Sequence, residues 1–521
     1  MPTLALPEKN LSVRDLDIRT RTVRAWLDTL PPTRPVDAAN GLFERVHRAN
    51  RTAVSPDDRL EFLRTIRPFA EMVKDELAQM CADATIPLSE RALGALNAAR
   101  ALCAELSVAC RVAAAENATR VLAFGARRRV PALLIQAVDW LAAVIVASYR
   151  TYAPVPPGTW RQLYETYLFA EEAGVAQRDI EEELGRSVQS ACCEVMLLAV
   201  ADPYRLRPSE LDELLRVSSS AMAAATLTKE VPRTSSGAHF VVSCDLDRAP
   251  RAMAPIKGPA LRILDANGVI DRLRARRAAL RENPPANAKG RSITEEAALI
   301  EKLMALWGDP PRRGFRRGTS QSSVAICVGL TAVRHFIAKE AEDDAAQADA
   351  IRRGITMPLL AFEDEHSLGH FPVVEWDVVD EGAGGLKVRR SHPRQSVSVG
   401  ELIGVRMLGR ARWIVGVVRW MGTHESGDLE FGMQFIAPGA QAVWLHPTLT
   451  AMPQARPGLL LQGAGDADDS LLSPPDTFSE MREFEVSREG DGTSCVRAMS
   501  LIERTGKFEV FAFAEEGAGR A

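Results

Sequence analysis

A chain of 521 residues is long enough for about three domains, and 46% hydrophobic with 25% charged residues is an ordinary globular composition. With a net charge of only −4, any basic site has to be a local cluster, which excludes a protein that holds nucleic acid by bulk charge. The eight cysteines show no C-x-x-C spacing, which fits reduced thiols in a cytoplasmic core, and the charged, proline-broken start MPTLALPEKNLSVRD does not read as a signal peptide.

Residues 1–225 read as an all-α bundle or short helical array. Ser55-Pro56-Asp57-Asp58 has the order of a helix start: a capping hydroxyl, a proline at the first helical position, then acids in the first turn. Helical runs are expected over 57–80, 89–115, 131–149, 159–173, 180–200 and 209–225, with Pro and Gly at the junctions. The apolar stretch 130–149 has the length of a membrane span, but Gln136 and Asp139 interrupt it, and a buried core helix is expected instead. Trp160, Leu163 and Tyr167 fall on one helical face and predict core packing; no second copy at a 34-residue period makes them a tetratricopeptide unit. Such an array offers a surface to a protein partner.

Residues 226–310 form a mixed α/β connecting segment. GAHFVVSCDLD (237–247) predicts a strand, and two helices follow, the second capped by Ser292 with Glu295 and Glu296. The basic run DRLRARRAALR sits on a short amphipathic helix and reads as a solvated face, so no nucleic-acid partner is expected.

The sequence then concentrates positive charge: Arg312, Arg313, Arg316 and Arg317 stand within six residues, in PPRRGFRRGTS. Guanidinium groups grip phosphate bidentately and stack on flat bases. Downstream, SSVAICVGLTAV (322–333) predicts a strand, and FPVVEWDVVDEGAGGLKVRR (371–390) a strand, a glycine-dense turn and a second strand. ELIGVRMLG, ARWIVGVVRWM and LEFGMQFIA give three more, and strands of this number and length favour a small closed barrel over 311–450. An acidic, alanine-rich stretch at about 336–355 interrupts it as a helical insertion, expected on the surface. Residues 451–521 form a β-rich extension, and the sequence leaves open whether it extends the barrel or builds a second sheet.

The order of these motifs, R-x-x-x-R, strand, Asp380-Glu381-Gly382-Ala383-Gly384-Gly385, VGELIGVRML, GVVRWM and FGMQF, resembles the PilZ domain. With the helical residues 1–225 this makes a multidomain α+β protein, all-α at its N-terminus and, as the resemblance implies, a PilZ-like antiparallel β-barrel at its C-terminus. It also implies a receptor for the bacterial second messenger cyclic di-GMP. The family's R-x-x-x-R signature falls on Arg313 with Arg317, with Phe315 between them, or one residue earlier on Arg312 with Arg316. Its (D/N)-x-S-x-x-G signature falls on Asp380, Gly382 and Gly385, with Gly382 where the family has serine. The arginines are then expected on phosphate and guanine, and the turn on a guanine edge. Losing one hydroxyl contact corresponds to roughly 1–3 kcal/mol, which weakens binding without abolishing it.

Catalytic patterns are thin. No Gly-rich phosphate loop with Lys, no Gly-x-Ser-x-Gly elbow and no His-Glu-x-x-His is present. Glu363-Asp364-Glu365-His366 with His370 is the densest metal-ligating candidate, but Gly369 and Pro372 argue for a polar loop, and neither metal nor cofactor is expected. Two non-enzymatic functions stay open. One is a cytoplasmic cyclic di-GMP effector that couples the messenger to a protein partner, in motility, adhesion or biofilm control as the resemblance implies. The other is a PilZ-like scaffold that works through protein contacts without nucleotide.

Overall fold

The computed structural model describes residues 4–12, 16–82, 85–120, 126–183, 185–230, 237–252, 258, 260–282, 290–308, 322–352, 371–407, 412–424, 426–448, 454–463, 465, 468–488 and 492–515. The chain forms two compact units, 1–84 with 88–312 and 85–87 with 313–521.

The first unit opens with α1 (Thr20–Leu27) and α2 (Pro35–Asn50). In α3 (Pro56–Ala82) the Asp58 N–H donates to Ser55 Oγ at 3.1 Å, as the start signal requires. Ser89 caps α4 (Glu90–Ala118) by accepting from the Ala92 N–H. α5 (Ala126–Arg150) packs along α4 and α6 (Thr159–Glu172) along α5. The expected 180–200 helix is two pieces: a 3-10 turn over Glu181–Glu183, then α7 (Val188–Val200), started by a reciprocal Ser187–Ser190 capping box. α8 (Pro208–Met222) begins on a proline. Trp160, Leu163 and Tyr167 are buried, as their shared face predicts.

α4 and Arg128–Arg150 of α5 are long and apolar enough to cross a membrane; 56% and 61% of their most apolar windows are buried inside the protein. The polar interruptions of α5 have partners within the fold. Asp139 forms a two-pronged pair with Arg186 at 2.7 and 3.0 Å, and Gln136 donates to Glu183 at 2.8 Å.

The connecting segment joins this same core. β1 (Thr226–Thr228), β2 (His239–Ser243), β3 (Arg251–Ala252) and β4 (Leu261–Asp265) form an antiparallel sheet in the order β1-β4-β2-β3. Phe240, Val242 and Leu264 of the sheet pack into the helical core with residues of α9 (Asn267–Glu282) and α10 (Gly290–Gly308). Trp307 is fully buried and donates its indole N–H to Leu197 O at 3.1 Å. α10 starts at Gly290, so Ser292 stands inside it rather than at its cap. The arginines of α9 are held in ion pairs, Arg274 with Asp271, Arg276 with Glu296 and Arg277 with Glu301.

The second unit holds two closed barrels. The first consists of β5 (Ser323–Val328), β6 (Val374–Gly382), β7 (Gly385–Ser391), β8 (Leu402–Met407), β9 (Trp413–Thr423) and β10 (Asp428–Phe435), in the order β10-β7-β6-β5-β8-β9. The expected strand over 322–333 is shorter. Gly329, with φ +94°, turns the chain into α11 (Leu330–Arg352), so Thr331-Ala332-Val333 is helical.

That helix is the expected insertion, but it begins six residues before 336, and its first half is not a surface helix. Ala332, Val333, Phe336 and Ile337 are buried against Leu402, Val415 and Val417 of the first barrel and Leu459, Leu461 and Val510 further on. Phe336 stacks on Trp413 with centroids 4.9 Å apart. The acidic part, residues 341–346, is exposed.

The C-terminal region closes a barrel of its own: β11 (Ala440–Pro447), β12 (Arg456–Leu461), β13 (Ser470–Ser473), β14 (Glu483–Arg488), β15 (Thr493–Arg504) and β16 (Glu509–Glu515), in the order β11-β12-β13-β16-β15-β14. β11 therefore belongs to the second barrel, not to the first as the 311–450 boundary would have it, because its backbone bonds run to β12 and β14. The first barrel ends at Phe435. Leu459 and Leu472 face the α11 cluster, while Val443, Phe484, Val486 and Phe511 fill the second barrel's own core.

Candidate ligand-binding face

The Asp380–Gly385 turn is the hairpin between β6 and β7. Gly382 pairs with Gly385 across a two-residue loop of Ala383 and Gly384. Gly384 O accepts the Phe435 N–H at 3.0 Å, and a Cβ on Gly385 would lie 2.0 Å from Met433 O. No side chain fits at 385: the hairpin lies directly on β10. Gly382 is ordinary strand backbone, so a hydroxymethyl there meets no conformational objection.

A bulge between Val378 and Asp380 shifts the register so that Asp380 stands opposite Lys387. Lys387 is opposite Gly432 in β10, and Gly432 opposite Trp420 in β9. Directly opposed residues share a sheet face, so Asp380, Lys387, Gly432 and Trp420 form one row across four strands. The alternating residues Val378, Leu386, Phe431 and Met433 are buried, which puts the row on the outside of the barrel. The half-buried Trp420 ring lies across Gly432, where an added Cβ would fall 1.9 Å from the indole nitrogen, and Lys387 Nζ is 5.7 Å from the ring centroid.

The neighbouring row is Asp377, Arg389, Glu430 and Gly422. Glu430 is buried and holds two cations, Lys387 Nζ at 2.7 Å and Arg389 Nη2 at 2.6 Å, with His424 Nε2 at 3.8 Å. Burial by itself pushes the Glu430 carboxyl up, and the Lys387 and Arg389 contacts outweigh it, leaving the pKa below its ordinary value. One carboxylate thus positions two positive groups beside a half-buried aromatic ring, the kinds of group that can take a planar base and a phosphate.

Of the expected site residues, Asp380, Gly382 and Gly385 come together in one hairpin. Arg312, Arg313, Arg316 and Arg317 lie outside the described residues, as do Glu363, Asp364, Glu365, His366 and His370. Among the described residues, no cluster of three or more His, Cys, Asp or Glu could hold a metal ion. Sequence reasoning missed Lys387, Trp420 and Glu430. The usable signal was Gly432 in the middle of FGMQF, since a glycine inside a strand marks close approach of another group.

A family model described as "Cyclic-di-GMP receptor FimW, N-terminal domain" matches residues 21–233, and one described as "Cyclic-di-GMP receptor FimW, middle PilZ domain" matches 239–350 and 343–442. The second match therefore takes in β2, β3 and β4 of the four-stranded sheet as well as the first barrel. A relative named "Cyclic-di-GMP receptor FimW", from Pseudomonas aeruginosa, is 24% identical over 498 residues, covering 84% of this chain and 80% of its own. No solved structure matches the chain. With both models matched in order along one polypeptide, and a six-stranded barrel bearing the Asp380–Gly385 hairpin inside the second match, the chain carries a PilZ domain behind a helical unit and is similar along its length to the FimW receptors.

Proposed function

We propose that the chain is a cytoplasmic cyclic di-GMP receptor, not an enzyme, whose helical unit passes the ligand state to a protein partner. The observation that carries this reading is the row Asp380–Lys387–Gly432–Trp420 on the outside of the PilZ barrel. Two phosphates and two large flat bases need paired cations, a stacking surface and backbone donors in a tight turn. The Lys387–Arg389 pair, the Trp420 ring and the β6–β7 hairpin supply one of each kind. Arg313 and Arg317 are proposed to complete the site as its phosphate clamp, with Arg312 and Arg316 as the alternative register. A cytoplasmic setting is supported by the free cysteines: seven of the eight are buried, and burial pushes thiols such as Cys103 and Cys110 up to about 12.

The test is calorimetric titration of variants with cyclic di-GMP. R313A/R317A is expected to weaken binding at least about a hundredfold, from two charged contacts of roughly 1.5–3 kcal/mol each, whereas R274A/R276A leaves it unchanged. Gly382→Ser is expected to tighten binding up to about a hundredfold by restoring one hydrogen bond. Equal losses from both arginine pairs would reduce the attraction to long-range charge and sink the site.

A further inference from the structure

In the second barrel, β12 to β16 lie beyond the residues of both family matches. The seam between β14 and β15 closes along only part of β15. β14 pairs with Thr493–Arg497. Ala498 ends the seam, donating to Arg482 O and accepting the Met481 N–H, both at 2.8 Å. From Met499 to Arg504 β15 then runs on with β16 on one side, and among the described residues no backbone bond reaches its other edge. Two bulges carry the register to β16 past Met499 and Ile502.

The overhang is apolar and exposed. Met499 is 43% exposed, Leu501 38% and Ile502 60%, with Met481 beside them at 55%. Ser500 is exposed as well. Successive strand residues point to opposite faces of a sheet, so the overhang shows solvent both of its faces along with its free edge. Proteins guard such edges with charge, proline or bulges. Between Arg497 and Glu503 the sequence Ala-Met-Ser-Leu-Ile has neither charge nor proline, and the bulges alone blunt it.

A surface docked on one face would leave the other in water, whereas a strand added edge to edge covers both and pairs the open backbone groups. The overhang is complementary to its own copy. Antiparallel pairing about a two-fold axis at Leu501 sets Ser500 of each copy opposite Ile502 of the other, and Met499 opposite Glu503. No like charges meet, because the two Glu503 carboxylates fall at opposite ends, and each keeps Arg419 of its own chain at 3.0 Å. The contact draws on apolar side chains and backbone bonds and needs no free charge. A few residues from each copy give an area at the low end for protein interfaces, below about 1,200 Å² in total, so the association is reversible and concentration-dependent.

We propose that Met499–Glu503 of β15 is a self-association edge, through which two copies of this chain join their second barrels by antiparallel strand pairing. The pairing does not depend on nucleotide binding.

The test is sedimentation equilibrium of the full chain across micromolar concentrations, beside L501K/I502K. The wild type is expected to pass from monomer to dimer as concentration rises. L501K/I502K is expected to weaken the dimer at least about tenfold, since like charges then face each other at the axis. Both positions are exposed, so its melting temperature is expected to stay that of the monomeric wild type, which separates lost association from lost folding. A short bismaleimide reads the geometry independently. In S500C/C495S the axis at Leu501 brings the two introduced thiols to neighbouring positions, and a covalent dimer is expected. In the wild type the exposed Cys495 stands well up the strand from the axis, and none is expected. A chain that stays monomeric up to near-millimolar protein would overturn the proposal and leave the edge to a strand of another protein. So would a dimer that L501K/I502K leaves intact, or one in which the wild type crosslinks as readily as S500C/C495S.

Discussion

Two glycines on the barrel face do opposite jobs, and substituting them separates folding from binding. Gly385 lies against the β10 backbone, where a methyl group would meet Met433 O at 2.0 Å and neither side can yield without breaking the strand pairing. Gly385→Ala is therefore expected to open the hairpin, lowering stability by about 2–4 kcal/mol as an overpacked site with backbone displacement, and to abolish cyclic di-GMP binding with it. In Gly432→Ala the nearest atoms are those of the Trp420 ring, a side chain that can swing aside. It is expected to leave thermal unfolding within a few degrees of wild type while weakening the ligand about tenfold, because the stacking surface is displaced rather than removed. Calorimetry with both variants, beside a melting curve, checks the pair. Unchanged binding in Gly432→Ala would take Trp420 out of the site.

At the scale of elements, β7 and β10 are joined across their outer face by Glu430 with Lys387 and Arg389. The folded carboxyl titrates below its unfolded value of about 4.3. Between those two values the unfolded chain binds the proton and the folded one does not. The stabilisation is thus fully present above the unfolded pKa and is lost as pH falls through the folded one. Acid titration followed by Trp fluorescence is expected to loosen this strand pair below about pH 4, and Glu430→Gln to make the barrel weaker at neutral pH and less sensitive to acid. If Glu430→Gln leaves the acid transition in place, another carboxylate governs it. The strands around this pair were legible in the sequence because each alternates over six or more residues. α11 was legible only in part. Its acidic half reads as surface and is, but Ala332, Val333, Phe336 and Ile337 continue the apolar run of β5, and nothing local tells a buried helix from a longer strand until Gly329 is seen at positive φ.

Across the whole molecule, what could be read from sequence was set by how local each determinant is. The long helices carry their caps and periodicity within themselves, so α3, α4 and α6 fall close to the expected spans. The closure of the second barrel does not: β13 has four residues, too few for a pattern, and β11 finds β14 about forty residues on. The candidate face was half legible for the same reason. Asp380, Gly382 and Gly385 sit in one motif, whereas Lys387, Glu430 and Trp420 meet only through strand register. The most direct measurement of the receptor reading is calorimetric titration of the full chain with cyclic di-GMP, run in parallel on Asp380→Ala. The predicted result is saturable binding that disappears in the variant, with both proteins melting at the same temperature. No saturable binding up to near-millimolar ligand, or binding that Asp380→Ala leaves intact, would contradict it.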